Sequence, residues 1–193
     1  MEFAGFPKMP RLSREMVITE KLDGTNAQVC IQELDGWNSP HPACIFQTDG
    51  LALFAGSRTR WITPQDDNYG FARWCQEHAE ELLHLGPGRH FGEWWGQGIQ
   101  RGYDLKEKRF SLFNVGRWNG AQPDCCHVVP VLYRGIFNTD EVEHSLRRLA
   151  ADGSCAAPGF MKPEGVIVFH TAGNFGMKKT LEKDEVPKGL VGE

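Results

Sequence analysis

The chain has 193 residues, of which 40% are apolar, 11% aromatic and 24% charged, a balance that excludes a disordered or low-complexity protein and allows a substantial core. A formal net charge of −4 at pH 7 excludes a uniformly basic nucleic-acid-coating protein, so any phosphate contact must come from a small local basic face. No apolar run approaches the ~18 residues of a membrane span, and the N-terminus Met1-Glu2-Phe3-Ala4-Gly5-Phe6-Pro7-Lys8 lacks the pattern of a secretory signal; a soluble, cytoplasmic, monomeric protein without membrane association is expected.

Val17-Ile18-Thr19 is a β-rich run, Asp23-Gly24 a turn, and Ala27-Gln28-Val29-Cys30-Ile31 alternates as a strand. Further strands are predicted over 29–33, 52–57, 90–95, 110–116, 132–137, 164–170 and 175–181. Asp66-Asp67 offers an N-terminal cap for a helix carrying Phe71, Trp74, Cys75, Leu82 and Leu83, and Gly86-Pro87-Gly88 ends it. A second helix starts at Asn138 with Glu141 three residues on, presents Val142, Leu146 and Leu149, and stops at Gly153. The six cysteines are scattered apart from Cys125-Cys126, as for reduced thiols. Cys125-Cys126-His127 is not accompanied by a C-x-x-C pair, and no zinc is expected there.

The stretch with most chemical content is Glu20-Lys21-Leu22-Asp23-Gly24-Thr25-Asn26. An ordinary lysine is only about 0.04% neutral at pH 7, so a nucleophilic Lys21 requires burial or neighbouring cations to shed its proton. Arg58, Arg60, Arg101, Lys106, Lys108, Arg109 and Arg117, interleaved with Trp61, Trp94, Trp95, Tyr103 and Trp118, supply candidates for a local basic and aromatic face. Glu93 lies in an aromatic strand flanked by glycines, Phe91-Gly92-Glu93-Trp94-Trp95-Gly96, where backbones can approach closely. Glu164 opens an apolar strand, a position where a carboxylate needs a cation or metal. The segments 164–170 and 175–181 read as a hairpin whose register decides whether Lys178 or Lys179 shares a face with Glu164, and a one-residue slip exchanges the two.

Taken together, the lysine motif, Gly56-Ser57-Arg58, Phe91-Gly92-Glu93-Trp94, Phe110-Ser111-Leu112-Phe113-Asn114-Val115, Pro163-Glu164-Gly165-Val166-Ile167-Val168 and Phe175-Gly176-Met177-Lys178-Lys179 form an ordered series. It resembles the motifs of the covalent nucleotidyltransferases, the polynucleotide ligases and messenger-RNA capping enzymes, over about residues 17 to 186. Asn26 stands where RNA ligases that seal nicked duplexes carry Asn and DNA ligases carry Arg, so the chain resembles ATP-dependent RNA ligases, small phage-type ones in particular. Asn114 stands where many relatives have Asp, and the adjacent lysines replace a Lys-x-Lys pattern.

The resemblance implies an α+β fold: an antiparallel two-sheet adenylyltransferase core with a few packed helices and no OB domain, formed by residues 1–193 as a single domain with a short tail, 182–193. It implies ATP as the AMP donor, Mg²⁺ or Mn²⁺ as the metal, and nucleic acid with 3′-OH and 5′-phosphate ends, RNA favoured, as the partner. Lys21 would take AMP as a phosphoramidate, with Lys178, favoured because Lys178-Lys179-Thr180-Leu181-Glu182 resembles a Lys-x-Thr-Leu-Glu variant of small phage ligases, or else Lys179 on the α-phosphate. Glu164 would serve the metal and phosphate region, Glu93 the ribose, Phe113 the adenine face and Arg58 the nucleotide sugar and substrate phosphate. Glu20 would contribute a backbone contact to adenine, and Asn26 would bind the nucleic acid, with Arg60 as competitor to Arg58. The chain looks like a catalytic core alone, expected to manage self-adenylylation and the joining of pre-adenylylated ends better than complete sealing. An ATP-dependent DNA ligase core, a GTP-using capping enzyme, and a non-catalytic nucleotide or nucleic-acid sensor remain as alternatives.

Overall fold

A computed structural model describes residues 1–34, 41–182 and 184–185, so the tail read at 182–193 lies almost wholly outside the described residues. The chain folds as two compact units, Met1–Lys21 with Pro130–Glu193, and Leu22–Val129. It begins with β1 (Glu15–Lys21) in the first unit. It then lays down β2 (Thr25–Glu33), β3 (Cys44–Gln47), β4 (Leu51–Gly56), β5 (Trp61–Ile62), α1 (Phe71–Glu77), α2 (Ala79–Leu83), β6 (Gly88–Gly96), β7 (Lys108–Leu112) and β8 (Cys126–Val128) in the second. The first unit is completed by β9 (Val131–Ile136), α3 (Thr139–Asp152), β10 (Gly165–His170) and β11 (Phe175–Thr180). The α+β class with two mostly antiparallel sheets agrees with the expectation. No helix among the described residues is long and apolar enough to cross a membrane.

In the first unit the strand order is β11-β10-β1-β9, all neighbours antiparallel. Alternation sends Met16 and Ile18 of β1 and Val166 and Val168 of β10 to one face, where Leu146 and Leu149 of α3 complete the core. The helix starts as the sequence predicts: the Asn138 side chain accepts from the amide of Asp140, and the helix closes before Gly153. The hairpin also forms, with Gly165, Val166 and Ile167 opposite Thr180, Lys179 and Lys178.

The second unit is a sheet in the order β3-β4-β2-β6-β7-β8 with β5 on β4. Among the described residues, only the β7–β8 pairing of this sheet is parallel. Val29, Ile31, Leu53, Ala55, Trp94, Phe110 and Leu112 of the sheet meet Phe71, Cys75 and Leu82 of the helices in one apolar core, in which Phe71 lies 5.0 Å from the Phe110 ring and 5.4 Å from that of Trp94.

The single helix expected after Asp66-Asp67 is two. His78, at φ −106° and ψ 21°, separates α1 from α2, yet Cys75, Ala79 and Leu82 stay buried, so the apolar stripe resumes in phase and its period does not betray the break. Asp67 still serves the start of α1, its carboxylate accepting from the amides of Ala72 and Arg73 at 2.8 and 3.2 Å. The strand expected over 110–116 stops at Leu112 because Asn114 turns the chain, its side-chain oxygen accepting from the amides of Gly116 and Arg117. The short strands β3, β5 and β8 carry too few residues to alternate legibly, so no local pattern marks them.

Candidate active site

Lys21 ends β1 opposite Gly165. Its amine lies 2.5 Å from Oε2 of Glu164, with only 15% and 5% of the two side chains exposed. Glu164 is thus a buried carboxylate facing the Lys21 amine and not a strand-end surface residue. Strict alternation would have turned Glu164 toward α3, in line with Val166. Gly165 interrupts that alternation at φ 153°, where an added Cβ would come within 2.2 Å of the Lys179 carbonyl oxygen, so the tight crossing requires glycine.

The ladder also separates the two lysines. Lys178 pairs with Ile167, which pairs with Thr19, so Lys178 is on the face that Thr19 and Lys21 share. Lys179 pairs with Val166 on the α3 face, where its amine ion-pairs with Glu143. That pairing raises the Lys179 amine above its ordinary range.

Glu20 points to the α3 side as well. Its carboxylate accepts from the Ser154 hydroxyl at 2.5 Å and from the amides of Cys155 and Ala156 at 2.8 and 3.0 Å. Burial, opposed by these hydrogen bonds, raises its carboxyl above the usual 4.5, and its own amide donates to the Pro130 carbonyl. The side chain of Glu20 is therefore an anchor for the segment after α3, a role the sequence reading did not foresee.

In the second unit β2, β6 and β7 bring Asn26, Glu93 and Ser111 side by side. Oε1 of Glu93 accepts from the Gly24 amide at 3.1 Å and Oε2 from the Asn26 amide group at 2.9 Å, while Oδ1 of Asn26 accepts from Nε of Arg58 at 2.9 Å. Gly24 is fixed by its surroundings: a Cβ would stand 2.4 Å from the Trp94 carbonyl oxygen. Phe113 follows β7, donates its amide to the Phe91 carbonyl and keeps 41% of its surface exposed. By strand alternation it shares the face of Glu93 and is not a core residue. Arg60 is committed elsewhere, gripping Asp66 with two guanidinium nitrogens at 2.5 and 3.0 Å.

Two residues met in the sequence only as members of a diffuse basic and aromatic set hold the Asp-Gly turn. Arg101 donates Nε to Asp23 at 3.0 Å, and the hydroxyl of Tyr103 accepts from the Asp23 amide at 2.8 Å. Tyr103 has a left-handed backbone, φ 54°, and is 1% exposed, with its ring edge-on to Trp95. No local pattern distinguishes either residue.

The sequence matches the RNA ligase family over residues 14–181. The chain belongs to that family. The ordered motifs and the ligase resemblance are accounted for by this membership, and the folds agree: a ligand-free variant of the Naegleria gruberi RNA ligase superposes with a TM-score of 0.56 at 19% identity, covering 87% of this chain and 50% of that one. A variant of that enzyme with AMP and manganese gives 0.57 at 19% identity over 88% of this chain and 50% of the other, and one with ATP and manganese gives 0.55 at 20% over the same shares. The chain thus spans about half the length of these ligases. No curated protein sequence matches it.

Proposed function

We propose that this RNA ligase family member is an ATP-dependent RNA ligase that works through a lysyl-AMP intermediate on Lys21, residues 1–193 acting as one adenylyltransferase domain. The observation that carries the reading is the Lys21–Glu164 pair at the end of β1, on a sheet face shared with Lys178. The amine of Lys21 attacks the α-phosphorus of ATP; the N–P bond forms, the P–O bond to pyrophosphate breaks, and the amine proton is lost. AMP then passes to a 5′-phosphate, and a 3′-hydroxyl displaces it to close the phosphodiester.

The sequence points to cations around Lys21, whereas the side chain its amine meets is the Glu164 carboxylate. A second cation competing for Glu164 would release the lysine. The donor chemistry fits one: a single buried carboxylate oxygen is what Mg²⁺ or Mn²⁺ accepts while keeping phosphate and water in the rest of its shell. When bound, such an ion would neutralise charge on the phosphate oxygens during transfer.

Lys178 is assigned to the α-phosphate, and Lys179 to the α3 side through Glu143. Glu93 accepts from a ribose hydroxyl and Phe113 stacks on adenine, a contact worth about 1–3 kcal/mol on aromatic platforms. Arg58, held by Asn26, presents its guanidinium fork to phosphate, and Asn26 with Arg58 faces the nucleic acid. Arg60, bound to Asp66, is the weaker nucleic-acid candidate, and Glu20 contributes through its backbone. A phage-type enzyme acting in the cytoplasm on RNA with 3′-OH and 5′-phosphate ends fits this set.

The test is incubation with ATP and Mg²⁺ or Mn²⁺ followed by intact mass measurement. One added adenylate is expected, absent from Lys21→Ala; an unmodified parent protein would favour a nucleotide sensor, and labelling by GTP in place of ATP a capping enzyme. Matched RNA and DNA nicks then separate RNA ligase from DNA ligase.

A further inference from the structure

Within the second unit, three side chains of metal-ligating type converge away from every residue assigned above. His78 and Glu81 stand three apart where α2 begins, so helical spacing places them on one side, with Nδ1 of His78 3.0 Å from Oε1 of Glu81. Cys125 reaches them from the turn before β8. The ligand atoms of His78, Glu81 and Cys125 all lie within 4.8 Å of one another.

The backbone holds both sides of this cluster. The helix breaks at His78, between α1 and α2, and the ring of His78 rests 5.2 Å from that of Trp74. On the other side the amide of Cys126 donates to the Pro123 carbonyl at 2.9 Å, and Cys126 is locked opposite Phe110 in the parallel β7–β8 ladder. Cys125 is thereby fixed at the mouth of the strand, its sulfur 3.9 Å from that of Cys126.

We propose that His78, Glu81 and Cys125 form a zinc site, with water as the fourth ligand, that clips α2 to the turn before β8. One imidazole nitrogen, one thiolate and one carboxylate oxygen make a donor set that suits Zn²⁺ and disfavours Mg²⁺ and Ca²⁺. With metal–ligand bonds of roughly 2.0–2.3 Å, a tetrahedral ion needs its ligand atoms roughly 3.3–3.8 Å apart. The widest separation, at most 4.8 Å, must close by about 1 Å and the 3.0 Å between His78 and Glu81 must open slightly, and side chains that are 35% and 47% exposed at His78 and Glu81 can rotate that far without disturbing the core. His127, the sequence neighbour of the cysteine pair, is not part of the group.

The experiment uses the full chain, stripped with a chelator and kept reduced, titrated with Zn²⁺ and separately with Co²⁺. One Zn²⁺ per chain is expected, with a rise in Tm on binding and a near-ultraviolet thiolate-to-cobalt band with Co²⁺. His78→Ala and Glu81→Gln should weaken Zn²⁺ binding at least roughly ten- to hundredfold, the scale on which removing even a group that only orients a metal ligand acts. Cys125→Ser should also abolish the cobalt band, while Cys155→Ser, His127→Ala and Lys21→Ala bind as the parent does. Glu81→Gln, on an exposed side chain, keeps the test open should Cys125→Ser fold poorly. Failure of the parent to bind Zn²⁺ stoichiometrically, binding unchanged in His78→Ala and Glu81→Gln, or a cobalt spectrum without the thiolate band would overturn the proposal. None of these readouts depends on adenylyl transfer.

Discussion

In the proposed reaction Lys21 and Glu164 form the pair that positions the nucleophile. The carboxylate lies 2.5 Å from the amine and keeps it positioned. The assisting lysine in the proposed reaction is Lys178, which shares the face of Lys21, whereas Lys179 is turned to Glu143. Lys178→Ala is therefore expected to slow adenylate formation by a factor on the order of 10²–10³, as for loss of a group that stabilises developing charge. Lys179→Ala should change it less than about tenfold, since it removes only a solvent-exposed ion pair on the opposite face. Single-turnover labelling with ATP distinguishes the two, and the reverse order would assign the phosphate to Lys179. Glu93 accepts two donors, from Gly24 and Asn26, so Glu93→Gln sets an amide donor against one of them. A loss of about 1–3 kcal/mol in urea unfolding is expected, together with a raised KM for ATP.

The strands and helices are held to their places by a few local devices. Asn138 caps α3 through the Asp140 amide, and Asn138→Ala should cost about 1 kcal/mol. Leu149, 1% exposed between α3 and the first sheet, should cost about 2–5 kcal/mol as Leu149→Ala; equilibrium denaturation ranks the two. At the start of β2 the constraint is steric. Gly24→Ala forces a Cβ against the Trp94 carbonyl oxygen and the Trp95 Cβ, at 2.4 and 2.7 Å, so the turn must open and Glu93 lose its bond to the Gly24 amide. Both a lower Tm and loss of self-adenylylation are expected, and an unchanged variant would show that the turn yields freely.

Stability of the protein should depend on pH through groups that the two units bury. Burial raises the Glu20 carboxyl above 4.5, so the folded state binds its proton more tightly than the unfolded chain does. That contribution is fully present below about 4.5 and is lost as pH rises through the raised value. His90 and His127 act in the opposite sense. Burial lowers both from 6.5, against the Gly86 carbonyl at His90 and with Arg109 assisting at His127. Their contribution is present above 6.5 and is lost as pH falls through the lowered values. The stability of the parent relative to Glu20→Gln should decline with rising pH above about 4.5 and then level off. A pH-independent difference in urea midpoints would mean that Glu20 titrates as an ordinary carboxyl.

Family and several elements are legible in the sequence alone. The ordered motifs show because local order along the chain is read directly from the residues, and α3 because cap, stripe and stop lie within sixteen positions, Asn138 to Gly153. Other features depend on partners far apart in the chain. The face of Lys178 is set by pairing to Ile167 and Thr19, the anchoring of Glu20 by Ser154, and the support of Asp23 by Arg101 and Tyr103. The meeting of Cys125 with His78 and Glu81 is of the same kind. Local patterns carry period and propensity, whereas register and long-range hydrogen bonds are fixed only when strands pair, and a shift of one residue would exchange every face involved.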